Sequence, residues 1–261
     1  MLADYHMHTS FSDDSTYPME DEIKKAISLG IDEICFTEHV DYGVKVDINC
    51  NYIDYINEVN RCREKYKDKI TMKLGIEFGM QEHTIDEFQK DFNEYDFDFV
   101  ILSCHQVDNK AFWTQDFQKG KTQKEYNEKY YEEILKVIKK YNDYSVLGHL
   151  DMINRYDKMG KYPFEKVRDI VKEILVHVIS HGKGIEINTS CFRYGLDDLT
   201  PSREILKLYR ELGGTIITIG SDSHKEDDVG CKISSVKNEL KELGYKEFCT
   251  YKKMEPIFHC L

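Results

Sequence analysis

An α/β barrel, built from parallel strands joined by helical crossovers, is the fold this 261-residue sequence predicts. Seven short runs of β-branched and aromatic residues alternate with longer helix-periodic segments, which is how parallel strands linked by helices read in a sequence. Run after run ends in a histidine or a carboxylate where a polar loop begins, and side chains gathered in that way line the mouth of a barrel. The length also agrees with the roughly 250 residues such a barrel takes.

Taken in order, the first strand run covers about residues 3–8 and ends in His6-Met7-His8, and helical periodicity follows over Glu20–Leu29 with Gly30 as its stop. The second run, 33–38, leads through Glu38-His39 to a helix over Tyr52–Tyr66. Runs at 71–79 and 97–104 come next, then a helix over Lys124–Tyr141. The run at 144–149 precedes a helix over Phe164–Ile179, with Pro163 expected in its first turn and Gly182 behind its end. The run at 184–189 is followed by a helix over Pro201–Leu212 that stops at Gly213. The last run, 215–221, precedes a helix over Val236–Leu243, stopped by Gly244. Residues 106–123 lack a clear period and hold Trp113 between two phenylalanines, so they read as a packed surface excursion or a loop over the site mouth. No low-complexity linker divides the chain, and a single domain over 1–261 is expected.

The formal net charge of −12 argues against a broad surface for tracking nucleic-acid phosphates, while a local cationic pocket stays possible and small anionic substrates are favoured. The eight cysteines form no CxxC pair, and several sit inside apolar runs, so most are expected to be reduced and buried. The chain reaches Asp4 and His6 without a basic segment and apolar core, and no apolar stretch approaches the roughly 20 residues of a membrane span. A cytoplasmic enzyme without a membrane or nucleic-acid partner is expected; the oligomeric state is open.

Six of the ten histidines (His6, His8, His39, His105, His149 and His224) and the carboxylates Glu38, Glu77 and Asp222 stand at strand ends. His6 and His8 are two apart on a strand, so their imidazoles share one face and can grip one ion. Asp222 and His224 repeat the spacing after the last strand. Glu77 interrupts Leu74-Gly75-Ile76-Glu77-Phe78-Gly79, where an unpaired buried charge is unfavourable and a carboxylate bridging two cations resolves the conflict. This inventory points to a multinuclear metal centre. His177 and His181, four apart on one helix face, precede a strand and read as structural; His83 and His259 receive no role.

Arg155 follows His149, and Arg193 follows the sixth strand run, which places two guanidinium groups on neighbouring mouth loops. Their planar donors suit a phosphate monoester, and the competing reading is salt bridging in an acidic protein.

The ordered set His6-Met7-His8-Thr9, Thr37-Glu38-His39, Gly75-Ile76-Glu77, His105, Gly148-His149-Leu150-Asp151 and Ser221-Asp222-Ser223-His224 resembles the polymerase and histidinol phosphatase (PHP) family, and within it the histidinol-phosphate phosphatases. The resemblance spans nearly the whole chain and implies a distorted (β/α)7 TIM-like barrel with its metal site at the C-terminal ends of the strands. It implies three divalent ions, Zn, Mn or Fe. His6, His8, Glu77 and Asp222 would surround one; Glu77 would bridge to a second held by His105 and His149; His39 and His224 would hold the third with a first-loop carboxylate. Many relatives have a histidine in that loop, where this chain offers Asp13 and Asp14; alignment on Phe11-Ser12 favours Asp14 and leaves Asp13 open. The implied activity is hydrolysis of L-histidinol phosphate by metal-activated hydroxide, with Arg155 and Arg193 on the phosphate and Asp222, His224 or Asp14 moving the proton. The alternative within the family is a phosphoesterase acting on nucleotides, oligonucleotides or phosphotyrosine.

Overall fold

All seven expected strand runs form strands in this computed structural model, which describes residues 1–44 and 48–261. In chain order the strands are β1 (Ala3–Asp4), β2 (Glu33–Phe36), β3 (His39–Val40), β4 (Thr71–Gly79), β5 (Phe99–Ser103), β6 (Gln106–Val107), β7 (Lys110–Ala111), β8 (Val146–Leu147), β9 (Gly184–Asn188), β10 (Ile217–Gly220), β11 (Glu247–Lys252) and β12 (Glu255–Cys260). The helices are α1 (Met19–Ser28), α2 (Tyr52–Tyr66), α3 (Ile85–Glu94), α4 (Gln123–Ile138), α5 (Arg168–Ser180), α6 (Arg203–Glu211) and α7 (Ile233–Glu242).

Parallel pairing runs β1-β2-β4-β5-β8-β9-β10, with β3 added against the far half of β4. The ring closes between its first and last strands. Tyr5 N donates to Ile219 O at 3.0 Å, Asp222 N to His6 O at 2.8 Å and His8 N to Ser223 O at 2.8 Å. The architecture is therefore a seven-stranded, distorted TIM-like barrel. β1 and β8 are shorter than their apolar runs because the backbone leaves the ladder just where His6, His8 and His149 turn toward the barrel axis.

The helices pack an apolar face on the outside of the ring and form one continuous core with it. Asn51 caps α2 by accepting from Asp54 N at 3.2 Å, and Thr122 with Glu125 forms a capping box at α4. Gly30, Gly182, Gly213 and Gly244 all have positive φ behind a helix, as their role as stops requires. Pro163 and Pro201, both suited by sequence to a first helical turn, stand ahead of their α-helices. Pro163 flanks a short 3-10 turn ahead of α5, and Pro201 precedes Ser202, the residue that flanks α6, so neither lies within a first turn of α-helix. α3 escapes the sequence reading because Ile85, Phe88 and Phe92 are its whole apolar stripe in a short, highly charged segment.

A second, smaller core fills the bottom of the barrel. The antiparallel hairpin β11–β12 brings Phe248, Cys249 and Tyr251 against Ala3, Tyr5, Cys35, Phe99, Ile101 and Val146. Tyr251 N donates to the Tyr5 hydroxyl at 2.8 Å, and that hydroxyl also meets Glu33. The rings of Tyr5 and Tyr251 lie 5.1 and 5.0 Å from that of Phe99. The hairpin thus seals the end opposite the histidines. Truncation by Tyr251→Ala should remove this ring packing and lower stability by about 3 kcal/mol or more, read as an earlier midpoint in urea unfolding.

Candidate metal centre

Parallel register sets the centre of the site. His39 on β3 pairs with Glu77 on β4, which pairs with Ile101 on β5, so Glu77 stands at the axis with a histidine alongside. Its Oε1 accepts from Ser103 Oγ at 2.6 Å and lies 2.9 Å from His149 Nε2 and 3.2 Å from His105 Nε2. Its Oε2 lies 3.0 Å from His39 Nδ1, 3.2 Å from His6 Nε2 and 3.5 Å from His8 Nε2. One carboxylate with its two oxygens turned toward two different groups of imidazoles has the form of a bridging ligand.

Asp222 faces the first of these groups, with Oδ1 at 3.4 Å from His8 Nε2 and 3.7 Å from His6 Nε2. A third cluster lies toward the rim, where the ring of His8 stacks between those of His39 and His224 at 4.1 and 4.3 Å. Asp14 Oδ2 approaches His224 Nε2 at 3.2 Å and His39 Nε2 at 3.6 Å, and both Asp13 and Asp14 line the cavity above. All nine residues singled out as ligands therefore converge on one cavity floor.

Most imidazoles aim Nε2 at the centre because Nδ1 is occupied elsewhere. His6 Nδ1 meets Glu186 Oε1 at 2.5 Å, His105 Nδ1 meets Asp41 Oδ1 at 2.8 Å, and His8 Nδ1 meets Ser12 Oγ at 3.2 Å. His224 Nδ1 donates to Asp222 O at 3.0 Å. Outer partners of this kind fix ring orientation and tautomer, which a metal site requires. Glu186 also accepts from His149 N at 2.9 Å and so holds both the His6 imidazole and the His149 backbone. Glu38, although it stands at a strand end, turns away from the centre and accepts from Thr9 N, Thr9 Oγ1 and Ser12 Oγ at 3.0, 2.6 and 2.6 Å, holding the first loop in place.

Two glycines make room for this crowding. A Cβ on Gly79 would meet His105 Nδ1 at 2.6 Å and collide with Asp41, and one on Gly220 would meet Glu186 Oε1 at 2.6 Å and collide with His6.

Electrostatics follow from the packing. Burial opposes the charged form of Glu77, yet the imidazoles of His6, His105 and His39 hold it well below the usual carboxylate range. Burial likewise opposes ionisation of Asp222, and His6, His8, His224 and Arg155 more than compensate. Burial pulls His105 down while Asp41 and Glu77 together raise it to about 10; His224 is lifted against burial by Asp14 and Asp222 to about 9. His8, crowded by His39 and His224, is pushed well below its ordinary value by burial first and those neighbours second. Its Nε2 is buried without a hydrogen-bond partner among the described residues. An orphaned imidazole nitrogen facing two ionised carboxylates, within four groups of potential donors each spanning no more than 4.8 Å, fits divalent cations.

Above this floor opens a cavity of about 510 Å³ whose walls include Arg155, Arg193, Tyr156, Tyr194 and Trp113. Arg155 is buried, with Nη2 2.5 Å from Ser190 Oγ and 3.7 Å from Asp222 Oδ2, and its guanidinium lies 4.0 Å over the Tyr194 ring. Arg193 is placed differently. It donates to Ser221 O at 2.7 Å and Asp222 O at 2.6 Å, and its Nε lies 3.4 Å from Asp228. It clamps the strand end that carries Asp222, whose φ of 55° lies in the left-handed region that an aspartate adopts more readily than most residues.

The other histidines stay apart from the centre. His177 and His181 stack at 4.0 Å on α5, with His181 at its C-terminal cap donating from Nδ1 to His177 O. His83 pairs with Asn109 and His259 with Thr250.

Sequence reasoning missed Glu186, Asp41 and Ser12. Glu186 carries the signal that singled out Glu77, a charge inside an apolar strand, here Gly184-Ile185-Glu186-Ile187-Asn188. Asp41 stands two residues beyond His39, beside a turn that gives no periodicity.

Comparison with known proteins places this geometry among relatives. The histidinol-phosphatase of Lactococcus lactis subsp. lactis (strain IL1403) is 34% identical over 261 residues, covering 97% of this chain and 95% of that protein. A probable histidinol-phosphatase of Clostridium acetobutylicum is 33% identical and covers 99% of this chain and 96% of its own. The crystal structure of the Lactococcus lactis histidinol phosphate phosphatase complexed with Zn, L-histidinol and phosphate superposes with a TM-score of 0.90 at 32% identity, over 98% of both chains. Residues 4–190 match the model of the PHP domain. With a match over well more than half its length, the chain belongs to the PHP domain family.

Proposed function

We propose that this protein is a histidinol-phosphatase, a metal-dependent phosphoric monoester hydrolase that converts L-histidinol phosphate to L-histidinol and inorganic phosphate in histidine biosynthesis. The observation that carries the reading is the buried Glu77 contacted by five imidazoles at the floor of a cavity that also holds Arg155. The superposed relative with L-histidinol and phosphate bound supports the choice of substrate.

In this reading His6, His8, Glu77 and Asp222 hold one divalent ion, Glu77 with His105 and His149 a second, and His39, His224 and Asp14 a third. Bound cations supply Lewis-acid stabilisation of phosphoryl charge and an activated water nucleophile near neutral pH. Zinc is favoured by the relative, and the imidazole and carboxylate donors also suit Mn or Fe. Arg155, fixed by Ser190 and Tyr194, presents its guanidinium to the phosphate oxygens. Arg193 adds charge to the same wall while holding Asp222 in place. Asp14 stands at the rim beside His224, with its side chain 46% exposed, where the carboxylate oxygen it does not give to a cation can pass a proton to the leaving alkoxide. No helix among the described residues is long and apolar enough to cross a membrane, and all eight cysteines are free thiols, so we place the reaction in the cytoplasm.

Phosphate release from protein of measured metal content should be faster, as kcat/KM, with L-histidinol phosphate than with nucleoside monophosphates, phosphotyrosine or single-stranded DNA; preference for any of the others would overturn the substrate. Glu77→Gln keeps the volume and removes the charge, so metal content by elemental analysis should fall together with activity, and full metal retention would take Glu77 out of the bridge. Loss of one charged hydrogen-bonding partner in Arg155→Ala should lower kcat/KM by about 10- to 100-fold with metal content unchanged.

A further inference from the structure

The chain contains a single tryptophan, and it lies on the wall of the reaction cavity. Trp113 is 42% exposed, although the segment that carries it is firmly built. Phe112 and Phe117 on either side are fully buried, with ring centroids 5.1 Å apart, and Phe112 packs edge-on to Tyr130 at 5.4 Å. Gln115 Nε2 donates to Phe112 O at 3.0 Å and to Tyr156 O at 2.9 Å, and Gln118 Nε2 reaches Phe112 O at 3.2 Å. These bonds tie the excursion to the short turn that bears Arg155.

A large indole left partly in water by a rigid backbone gains contact area when a ligand covers it, and its face favours flat rings and cations. The same cavity carries the imidazole and carboxylate cluster and Arg155, which suit phosphate, and Trp113 gives it an aromatic wall. We infer that Trp113 recognises the non-phosphate end of the substrate by stacking on its imidazole ring, and so selects a phosphate monoester bearing a flat heteroaromatic group over ring-free esters. This rests on the assignment of L-histidinol phosphate as substrate.

Because no other tryptophan is present, the fluorescence of the zinc-loaded wild-type protein, excited at the red edge of indole absorption where the 18 tyrosines do not absorb, reports on this residue. Titration with L-histidinol should change the emission saturably, and L-alaninol, which lacks the ring, should leave it unchanged; no response to L-histidinol, or an equal response to both, would overturn the inference. In kinetics, Trp113→Ala should lower kcat/KM for L-histidinol phosphate by about 10-fold, mainly through KM, while Trp113→Phe stays within about threefold of wild type. Turnover of L-alaninol phosphate should be little affected by either change, and an equal loss on both esters would show that Trp113 supports the shape of the site rather than reading the ring. The fluorescence arm stands apart from catalysis: failure to turn over L-histidinol phosphate would count against the proposed substrate, whereas normal turnover with silent fluorescence would count only against the role of Trp113.

Discussion

A carboxylate buried on the barrel axis sets the terms for the rest of this molecule. Glu77 has no access to water, and removing an ionised carboxylate from solvent is unfavourable by roughly several kcal/mol even after relaxation. Imidazoles on both of its oxygens and the hydroxyl of Ser103 offset that penalty only while every ring is held at hydrogen-bonding or ion-pair distance. Strand register brings His39 beside it, and the outer partners Glu186, Asp41 and Ser12 orient His6, His105 and His8. The barrel is closed below by the β11–β12 hairpin, so its axis is apolar at one end and charged at the other. Low polarity beneath the centre strengthens each electrostatic contact above it.

Such crowding explains why several positions tolerate little change. Gly79 and Gly220 give up their Cβ so that Asp41 and His105, or His6 and Glu186, can approach the wall. Glu38, two residues from the strand end of β2, anchors the first loop through Thr9 and Ser12, and Ser12 in turn supports His8 and the backbone of His39. Loop and strand are therefore one hydrogen-bonded unit, and the placement of Asp14 depends on residues that never face a ligand.

Much of this was legible in the sequence because period and punctuation carry it. Strand runs ending in histidine, and glycines behind helices, reflect local rules that tertiary packing did not override. The edges of elements were less legible, since β1 and β8 stop short where histidines turn inward, and Pro201 lies outside the helix it precedes. Glu38 illustrates a deeper limit: adjacent residues at a strand end point in opposite directions, so Glu38 and His39 could not both face the axis, and only the fold decides which does. Glu186 was within reach, because a charge in an apolar strand demands a partner whether it is Glu77 or Glu186. The 106–123 excursion proved to be both of its readings at once, with Phe112 and Phe117 packed inside and Trp113 on the cavity.

Net charge and local charge pull in opposite directions here, and distance decides between them. A formal charge of −12 repels an approaching phosphate from afar, but fields of exposed charges are screened beyond about 8 Å at physiological ionic strength. Inside the cavity the balance belongs to a few groups, and Arg155 leads them because its guanidinium is buried against Tyr194 and screened little by salt. Arg193 is already occupied by two backbone carbonyls and Asp228, so its charge is largely spent on holding the left-handed backbone of Asp222. Two arginines that look equivalent in sequence are thus held differently, one packed on an aromatic wall of the cavity and the other fixed to the strand end that carries Asp222.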